Sequence, residues 1–129
     1  MIEQKKNTFS KKERLCSRKQ IELLFESGKA TNSYPIKVVF LKVLDNVDVP
    51  AQSMFVVPKR NFKRSPDRNK LKRRMREAYR LNKNEFYLRL NQQEKKIRAA
   101  FIYTGKKLEP YSTVQSAIKK ILLQLSEAG

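Results

Sequence analysis

The stretch KRNFKRSPDRNKLKRRMREAYRLNK, which runs from Lys59 to Lys83, decides how the rest of the chain must fold. Ser65 can cap the start of a helix, Pro66 suits its first position and Asp67 favours its positive end. Apolar residues then recur at helical spacing and form a stripe roughly 140° wide. The stripe consists of Leu71, Met75 and Ala78, with Leu81 and Phe86 at its edges. A helix with such a stripe must pack on an apolar surface, so we expect a sheet beside it.

Strand patterns on both sides of this helix supply that surface. Residues 36–44, IKVVFLKVL, are rich in β-branched and aromatic side chains, and residues 51–57, AQSMFVV, end at Pro58. The DNVDVP link between them predicts a hairpin. Residues 96–104, KIRAAFIYT, predict a third strand.

Two more helices complete the pattern. In CSRKQIELLFESG, Ser17 and Gln20 predict a capping box and Gly28 predicts the helix end. The apolar residues of this helix share one face: Ile21, Leu24 and Phe25. In STVQSAIKKILLQL, Ser112 and Gln115 predict a second capping box. Its core face would consist of Val114, Ala117, Ile118, Ile121, Leu122 and Leu125. The residues thus predict an α+β domain with the order αββαβα.

Length and charge limit the possibilities further. A chain of 129 residues, 40% of them hydrophobic, fits a single domain with one core. Lys and Arg number 30 against 12 Asp and Glu, a formal net charge of +18. This imbalance favours a polyanionic partner, whether RNA, DNA or an anionic membrane surface. We expect residues 1–13 to be a loose basic segment and residues 14–129 to form the domain.

Several classes of protein are disfavoured. No apolar run approaches the ~20 residues that cross a bilayer, and the start of the chain lacks a signal core, so we expect a cytoplasmic protein. With Cys16 as the lone cysteine and no histidine, neither an intrachain disulfide nor a usual zinc site is possible. Asp45 and Asp48 lie in the predicted hairpin loop, where solvation is a better explanation than metal binding. We therefore predict no catalytic residue and no metal site in this chain.

The basic helix carries its charge in an ordered way. At 100° per residue, one ridge lies opposite Leu71. The ridge consists of Asn69, Arg73, Arg76 and Arg80, with Arg68 and Lys72 on one flank and Lys70 and Arg74 on the other. Solvated helix faces usually mix signs, because like charges four residues apart repel. This face does not mix them, which favours contact with a polyanion over simple solvation.

These residues resemble the signature of the bacterial ribonuclease P protein component. The matching run is RNKLKRRMRE, from Arg68 to Glu77, preceded by Lys59, Arg60 and Asn61. The first helix, RLCSRKQIELLFESG, and the tail, AAFIYTGKKLEPYSTVQSAIKKIL, are also similar to that family. Two positions differ: Lys70 replaces the usual Arg, which loses a planar fork for phosphate, and Ile21 replaces a frequent Phe.

The resemblance implies a fold and a function. The fold would have the order αβββαβα, with one more short strand before the basic helix and a small central sheet. Its βαβ crossover would be left-handed, although such crossovers are right-handed in roughly 98% of cases. The protein would be a subunit of the tRNA-processing endonuclease ribonuclease P. It would assist a catalytic RNA in removing the 5′ leader of precursor tRNA, and that RNA would hold Mg²⁺ and perform the hydrolysis. The implied partners are the ribonuclease P RNA and precursor tRNA, with no obligate protein partner.

The resemblance also implies two surfaces. The residues expected to bind the RNA subunit through its phosphates are Lys59, Arg60, Arg68, Asn69, Lys70, Lys72, Arg73, Arg76 and Arg80. A cleft between the first helix and the sheet would take the single-stranded leader, and its expected residues are Ile21, Phe25, Tyr34 and Phe40. Phe25 and Phe40 fit an ordinary core equally well, whereas Tyr34 favours an exposed position. A structural ribosomal protein that binds rRNA is the alternative that composition leaves open.

Overall fold

The computed structural model describes residues 8–43 and 48–127, and it confirms an α+β fold. The helices are α1 (Arg18–Ser27), α2 (Ser65–Gln92) and α3 (Tyr111–Glu127), and a short 3-10 helix spans Lys11–Glu13. The strands are β1 (Lys29–Ser33), β2 (Ile36–Lys42), β3 (Ala51–Val56) and β4 (Ile97–Tyr103). The order αβββαβα that the family resemblance implied is therefore confirmed. Residues 1–7 and the predicted loop position Asp45 lie outside the described residues.

The sheet has the strand order β1-β2-β4-β3. Strand β4 is antiparallel to β2 and parallel to β3, so it separates the two strands that we predicted to form a hairpin. That prediction is wrong because a short link limits how far apart two strands lie and does not decide whether they share a ladder. The burial of Ile97–Phe101 on both faces of the sheet marks β4 as a central strand. Strands β3 and β4 with helix α2 form the expected βαβ unit, and its left hand stays a prediction.

The hairpin of this fold consists of β1 and β2. Lys29 lies opposite Phe40, and Ser33 lies opposite Ile36. Strand β1, KATNS, has no apolar alternation because it lies at the edge of the sheet and is mostly exposed. Because β1 is polar, the search for apolar patterns in the sequence did not identify it as a strand.

Helices α2 and α3 cover one face of the sheet and form the main core. The predicted stripe residues Leu71, Met75, Ala78 and Phe86 are buried there, whereas Leu81 is 43% exposed. All six residues predicted for the core face of α3 are also buried. Strand side chains alternate between faces, and β2 directs Ile36 and Val38 into this core together with the half-buried Phe40.

Helix α1 covers only part of the opposite face. Leu24 of α1 packs with Leu15, Val39 and Ala100 in a second, smaller core. Around it lie four half-buried apolar side chains: Ile21, Leu41, Met54 and Ile102. Ile21 belongs to α1, and the other three lie on the strands; we call Leu41, Met54 and Ile102 the open sheet face, because no helix of the described chain covers them fully.

The described part of the predicted loose segment is packed against the core. The ring of Phe9 lies 5.5 Å from that of Phe55 and 5.6 Å from that of Tyr79, both edge to face. Glu13 is 5% exposed and forms an ion pair with Lys83 of α2. The prediction of a loose segment is therefore wrong for residues 8–13, because an aromatic ring and a buried ion pair hold them in place.

The helix ends follow the predicted caps only in part. The Ser17 side chain accepts a hydrogen bond from the Gln20 backbone N–H, at 3.3 Å, as predicted. The Gln20 carboxamide accepts instead from Arg98, so the second half of that capping box is not formed. Gly28 ends α1, and a Cβ there would lie 2.5 Å from the Leu24 carbonyl oxygen.

Two predicted caps lie inside their helices. Ser65 is the first residue of α2, which is capped at Arg64. Ser112 follows Tyr111, where α3 begins. The Pro110 carbonyl accepts hydrogen bonds from the first turn of α3, so the preceding proline, and not the serine, starts this helix.

Candidate nucleic-acid interface

The predicted ridge lies along the solvent side of α2, opposite the main core. Asn69, Lys70, Arg73 and Arg76 are exposed, together with Lys59 and Arg60 in the preceding loop. In the part of the chain that the structure describes, Arg73 and Arg76 have no hydrogen-bond or ion-pair partner. Two guanidinium groups one turn apart and open to solvent can grip phosphate groups.

Arg68, at the start of the predicted binding set, is turned inward. Its guanidinium donates hydrogen bonds to the carbonyl oxygens of Phe62 and Lys63, at 2.8 and 3.0 Å, and to the Ser65 hydroxyl at 3.0 Å. These three bonds hold the loop that carries Lys59 and Arg60, which we call the basic loop, against the first turn of α2. Arg68 thus positions neighbouring cations, and a direct RNA contact for it stays a prediction.

Arg80, at the other end of the ridge, is paired within its own helix. Its Nη2 lies 2.6 Å from the Glu77 carboxylate, and its Nε donates to the same carboxylate at 3.1 Å. The hydrogen bond from Arg80 lowers the pKa of Glu77. Because Glu77 places a negative charge beside the ridge, the single sign inferred from the sequence holds for Asn69–Arg76 and ends at Glu77.

Arg74 and Tyr34 are linked through one loop residue. Arg74 donates a hydrogen bond to the backbone carbonyl of Glu109, and the Tyr34 hydroxyl donates to the Glu109 carboxylate at 3.0 Å. This hydrogen bond raises the pKa of Tyr34. The Tyr34 ring is 61% exposed, as expected, but it lies beside the basic helix.

The structure does not bring the four predicted leader residues into one cleft. Ile21 borders the second core, and Phe25, on the same helix, is 48% exposed. Phe40 packs toward α2 and α3, on the opposite face of the sheet, because it alternates with Val39 along β2. Tyr34 lies in the turn before β2, and its hydroxyl is bonded to Glu109 on the side of the basic helix. Grouping Phe40 and Tyr34 with Ile21 was therefore wrong, while Ile21 and Phe25 do share a surface.

Residues that the sequence analysis missed complete that surface. Met54 and Ile102 of the open sheet face lie on β3 and β4. The sequence feature that could have identified Met54 and Ile102 is the alternation of side chains along each strand. This alternation assigns Met54 to the face opposite Ala51 and Ser53. Arg98 also lies on this face, where it donates hydrogen bonds to Gln52 at 2.9 Å and Gln20 at 2.8 Å.

A surface cavity of about 380 Å³ joins the two regions. Arg60 and Asn61 of the basic loop line one side of it, and Ile102 of the open sheet face lines the other, with Thr104 and Lys106 alongside. A nucleic acid that followed the basic loop could therefore continue onto the sheet without leaving the protein surface.

The described residues contain neither a metal cluster nor a membrane-spanning helix. No group of three or more His, Cys, Asp or Glu side chains there could hold a metal ion. None of the helices described is both long and apolar enough to span a bilayer.

Comparisons with known proteins agree with the signature on α2. The family model described as Ribonuclease P matches residues 9–125. The chain belongs to the ribonuclease P protein family. Ribonuclease P protein components from two strains of Porphyromonas gingivalis are 34% and 37% identical, and each match covers 91% of this chain and 85% of the relative. The family implies a subunit of the tRNA-processing endoribonuclease, and the ribosomal alternative loses its support.

Solved structures of the ribonuclease P family share the fold. The RNase P protein from Thermotoga maritima has a TM-score of 0.69 at 26% identity, covering 87% of this chain and 96% of that one. The RNase P protein of Staphylococcus aureus also gives 0.69, over 89% and 95% of the two chains. Its identity of 15% makes that likeness one of fold alone.

Proposed function

We propose that this chain is the RNA-binding protein subunit of a ribonuclease P, acting in the cytoplasm on precursor tRNA together with a catalytic RNA. The observation that carries the proposal is the exposed, single-signed segment Asn69–Arg76 on a helix whose other side is fully used by the core. Solvation does not explain a segment that concentrates like charges at a cost in repulsion. A phosphate backbone that neutralises them does.

The RNA subunit contacts the ridge and the basic loop. Arg73, Arg76 and Lys70 offer cations to phosphates, and Asn69 adds a neutral donor among them. Lys59 and Arg60 extend the contact from the loop, while Lys72 and Arg80 contribute charge at its borders. Such contacts fix position and orientation without reading sequence. This suits a subunit that must recognise one folded RNA by its shape.

The leader of precursor tRNA crosses the open sheet face beside α1. Phe25 offers a half-exposed ring for stacking, and Ile21, Met54 and Ile102 offer apolar contact to unpaired bases. The cavity between Arg60 and Ile102 connects this path to the basic loop. Tyr34 stands at the Arg74 side, where its ring can meet RNA near the ridge. A surface of this kind tolerates any base, which a processing factor requires.

Hydrolysis belongs to the RNA in this proposal, and Mg²⁺ at the chemical step is held there. The test combines the purified chain with its cognate ribonuclease P RNA and a labelled precursor tRNA at low Mg²⁺. Protein plus RNA should release the leader faster than RNA alone, and protein alone should leave the precursor intact. Leader removal by protein free of RNA would contradict the division of labour. No acceleration by correctly folded protein would contradict the proposed function.

A further inference from the structure

The loop between β4 and α3, residues 104–110, joins the basic helix to the turn that carries Tyr34. The Glu109 carboxylate accepts a hydrogen bond from the Tyr34 hydroxyl at 3.0 Å, and the Glu109 carbonyl accepts one from Arg74 of α2. The backbone N–H of Glu109 donates to the Tyr103 hydroxyl at 3.1 Å. One residue of the loop thus contacts the turn, the basic helix and the end of β4.

Other contacts hold this loop without the help of the Glu109 side chain. The Pro35 carbonyl accepts hydrogen bonds from the backbone N–H groups of Thr104 and Gly105, at 2.7 and 3.3 Å. Tyr103, whose side chain is fully buried, holds the far part of the loop through its hydroxyl. These contacts use backbone groups and the Tyr103 hydroxyl, so a change of the Glu109 side chain leaves all of them in place.

The Tyr34 ring is held in place although neither core of the described chain includes it. Tyr34 is 61% exposed. An exposed side chain usually moves among rotamers, and a ligand that fixes one must offset the lost conformational freedom. The bond to Glu109 fixes the hydroxyl end of the ring in advance. Gly105 leaves the necessary room, because a Cβ there would lie 3.2 Å from the Tyr34 hydroxyl oxygen. The ring is thus a pre-ordered apolar surface that faces solvent.

The charge of Glu109 indicates which part of a nucleic acid fits beside this ring. A carboxylate repels a phosphate group at short range, whereas a nucleobase carries no net charge. Aromatic faces stack on unpaired bases of any identity. A ring with a carboxylate at its edge therefore suits a base better than a phosphate. The cations that suit phosphates lie nearby on α2, where Arg74 flanks the ridge.

We propose that Tyr34 stacks on an unpaired base of the ribonuclease P RNA, and that Glu109 is the residue that positions the ring for this contact. The inference rests on the proposed function, because it requires the RNA subunit to lie along the ridge. It adds one contact with a base to the phosphate contacts of α2. The base belongs to the RNA subunit and not to the leader, because Glu109 ties the ring to Arg74, whereas the leader surface lies beside α1.

The first test removes the ring and measures binding of the full chain to the ribonuclease P RNA on filters. Tyr34→Ala should weaken binding roughly 5- to 150-fold, the range of one base stacked on an aromatic ring. The slope of log K against log[salt] should not change, because no phosphate contact is lost. Tyr34→Phe keeps the ring and should lose only a small part of the affinity. The matched control is Leu108→Ala, which removes an exposed apolar side chain from the same loop and should leave the affinity unchanged. Urea denaturation checks that each variant is folded.

Two variants of Glu109 separate positioning from charge. Removing a negative charge from a surface that binds RNA should by itself strengthen binding. Glu109→Gln keeps an acceptor for the Tyr34 hydroxyl and should bind the RNA at least as tightly as the original chain. Glu109→Ala removes the same charge together with the acceptor, and it should bind about 2- to 10-fold more weakly than Glu109→Gln, because the ring must then be ordered at binding. In the Tyr34→Phe background this difference should vanish, since no hydroxyl is left to hold.

Four other outcomes would contradict these assignments in different ways. Unchanged affinity in Tyr34→Ala, beside a loss in Arg73→Ala with Arg76→Ala, would overturn the stacking site and leave the proposed function standing. Unchanged affinity in both would overturn the proposed function and the stacking site with it. A loss in Tyr34→Ala confined to binding of precursor tRNA by the holoenzyme would assign the base to the leader. Equal gains in Glu109→Ala and Glu109→Gln would overturn the positioning role of Glu109.

Discussion

The first half of α2 carries the exposed cations Arg73 and Arg76, and the second half carries the buried cation Lys83. For these cations we call the two parts the exposed half and the buried half. Arg73 and Arg76 are exposed, and no described residue pairs with either. Two turns after Arg76, Lys83 is 4% exposed and forms an ion pair with Glu13. A buried charge destabilises the fold unless it has a partner, whereas an exposed charge is solvated by water. The cations of one helix therefore divide into those that hold the fold together and those left available to another molecule.

The environment of Lys83 shows how completely the buried half is paired. Its ammonium group donates hydrogen bonds to the Glu13 carboxylate and the Thr8 carbonyl, and it lies 5.4 Å from the centre of the Tyr87 ring. The Tyr87 hydroxyl donates to the same carboxylate at 2.7 Å and lies 3.0 Å from the Tyr79 hydroxyl. This network joins the start of the described chain to the middle of α2.

The largest effect is expected from breaking that pair. Lys83→Met should lower the free energy of unfolding by ~3–5 kcal/mol, because it leaves the Glu13 carboxylate buried without its cation. Urea denaturation of the two proteins measures the loss. Arg73→Met removes a cation from the exposed half of the same helix and should change stability by less than ~0.5 kcal/mol.

A double variant tests the cause of the loss. Glu13→Gln combined with Lys83→Met removes the buried charge as well as its partner and should recover part of the stability lost in Lys83→Met. If the double variant were as unstable as the sum of the two single variants, the damage would come from packing and the charge argument would fail.

Substitutions in the exposed half should change the salt dependence of RNA binding, whereas substitutions in the buried half change the free energy of unfolding. Arg73→Ala with Arg76→Ala should weaken binding to the ribonuclease P RNA and make the slope of log K against log[salt] shallower by up to ~2, at ~0.9 or less per lost phosphate contact. Filter binding over a range of KCl concentrations measures both quantities.

The matched control removes two cations from another exposed helix surface, as Lys119→Ala with Lys120→Ala on α3. That pair should leave the slope unchanged. Equal changes in both double variants would mean that net charge alone drives binding, and the ridge would lose its special role.

Much of α2 could be predicted from the sequence because its information is local. The stripe of Leu71, Met75 and Ala78 repeats within three turns of helix, and Pro66 marks the start within one residue. The exposed ridge follows from the same geometry, since residues opposite a buried stripe face solvent. The Ser17 cap was local in the same sense.

The features that escaped prediction depend on contacts between distant residues. Lys83 looks like another surface cation until Glu13, 70 residues earlier, is placed against it. Strand β1 has no apolar pattern, and only its ladder with β2 defines it. Phe40 was expected in the leader cleft or in the core, and only the core position agrees with the structure, because no local signal says which face of β2 meets α1. The family resemblance supplied the missing strand because it transfers a whole topology at once.

The leader surface should show a smaller effect than the ridge, and α1 offers a matched pair for it. Phe25→Ala should cost ~1–3 kcal/mol in the affinity of the holoenzyme for precursor tRNA and almost nothing for mature tRNA, which has no leader. The ring is 48% exposed, so stability should fall far less than for a buried Phe. Leu23→Ala, at 45% exposure on another side of the helix, should affect neither substrate. Equal losses for both tRNAs would remove Phe25 from the leader site.

The smallest effect concerns pH and returns to the buried half of α2. Burial acts to raise the pKa of Glu13, but hydrogen bonds from Lys83, the Ser10 backbone and Tyr87 outweigh it and lower the pKa below the ordinary value of 4.5. A carboxyl with a lowered pKa in the folded state contributes stability above pH 4.5 that is lost as the pH falls through the folded-state pKa. The dependence of the unfolding free energy on pH in this acidic range should therefore be less steep in Glu13→Gln than in the original chain.

The change in steepness is the diagnostic quantity for Glu13, because the substitution also removes an ion pair and lowers stability at every pH above this range. Asp48 and Glu77 also have lowered pKa values, through hydrogen bonds from Lys12 and Arg80 respectively. Every variant of Glu13 therefore keeps the part of the acid sensitivity that these two carboxyl groups contribute. Both pairs are at the surface, where ion pairs contribute little, and Asp48→Asn should alter the steepness less than Glu13→Gln does. Urea denaturation at a series of pH values between neutrality and the acid transition gives the two curves. Parallel curves for Glu13→Gln and the original chain would show that the carboxyl titrates alike in the folded and unfolded states, and the contrast between the two halves of α2 would then rest on Lys83 alone.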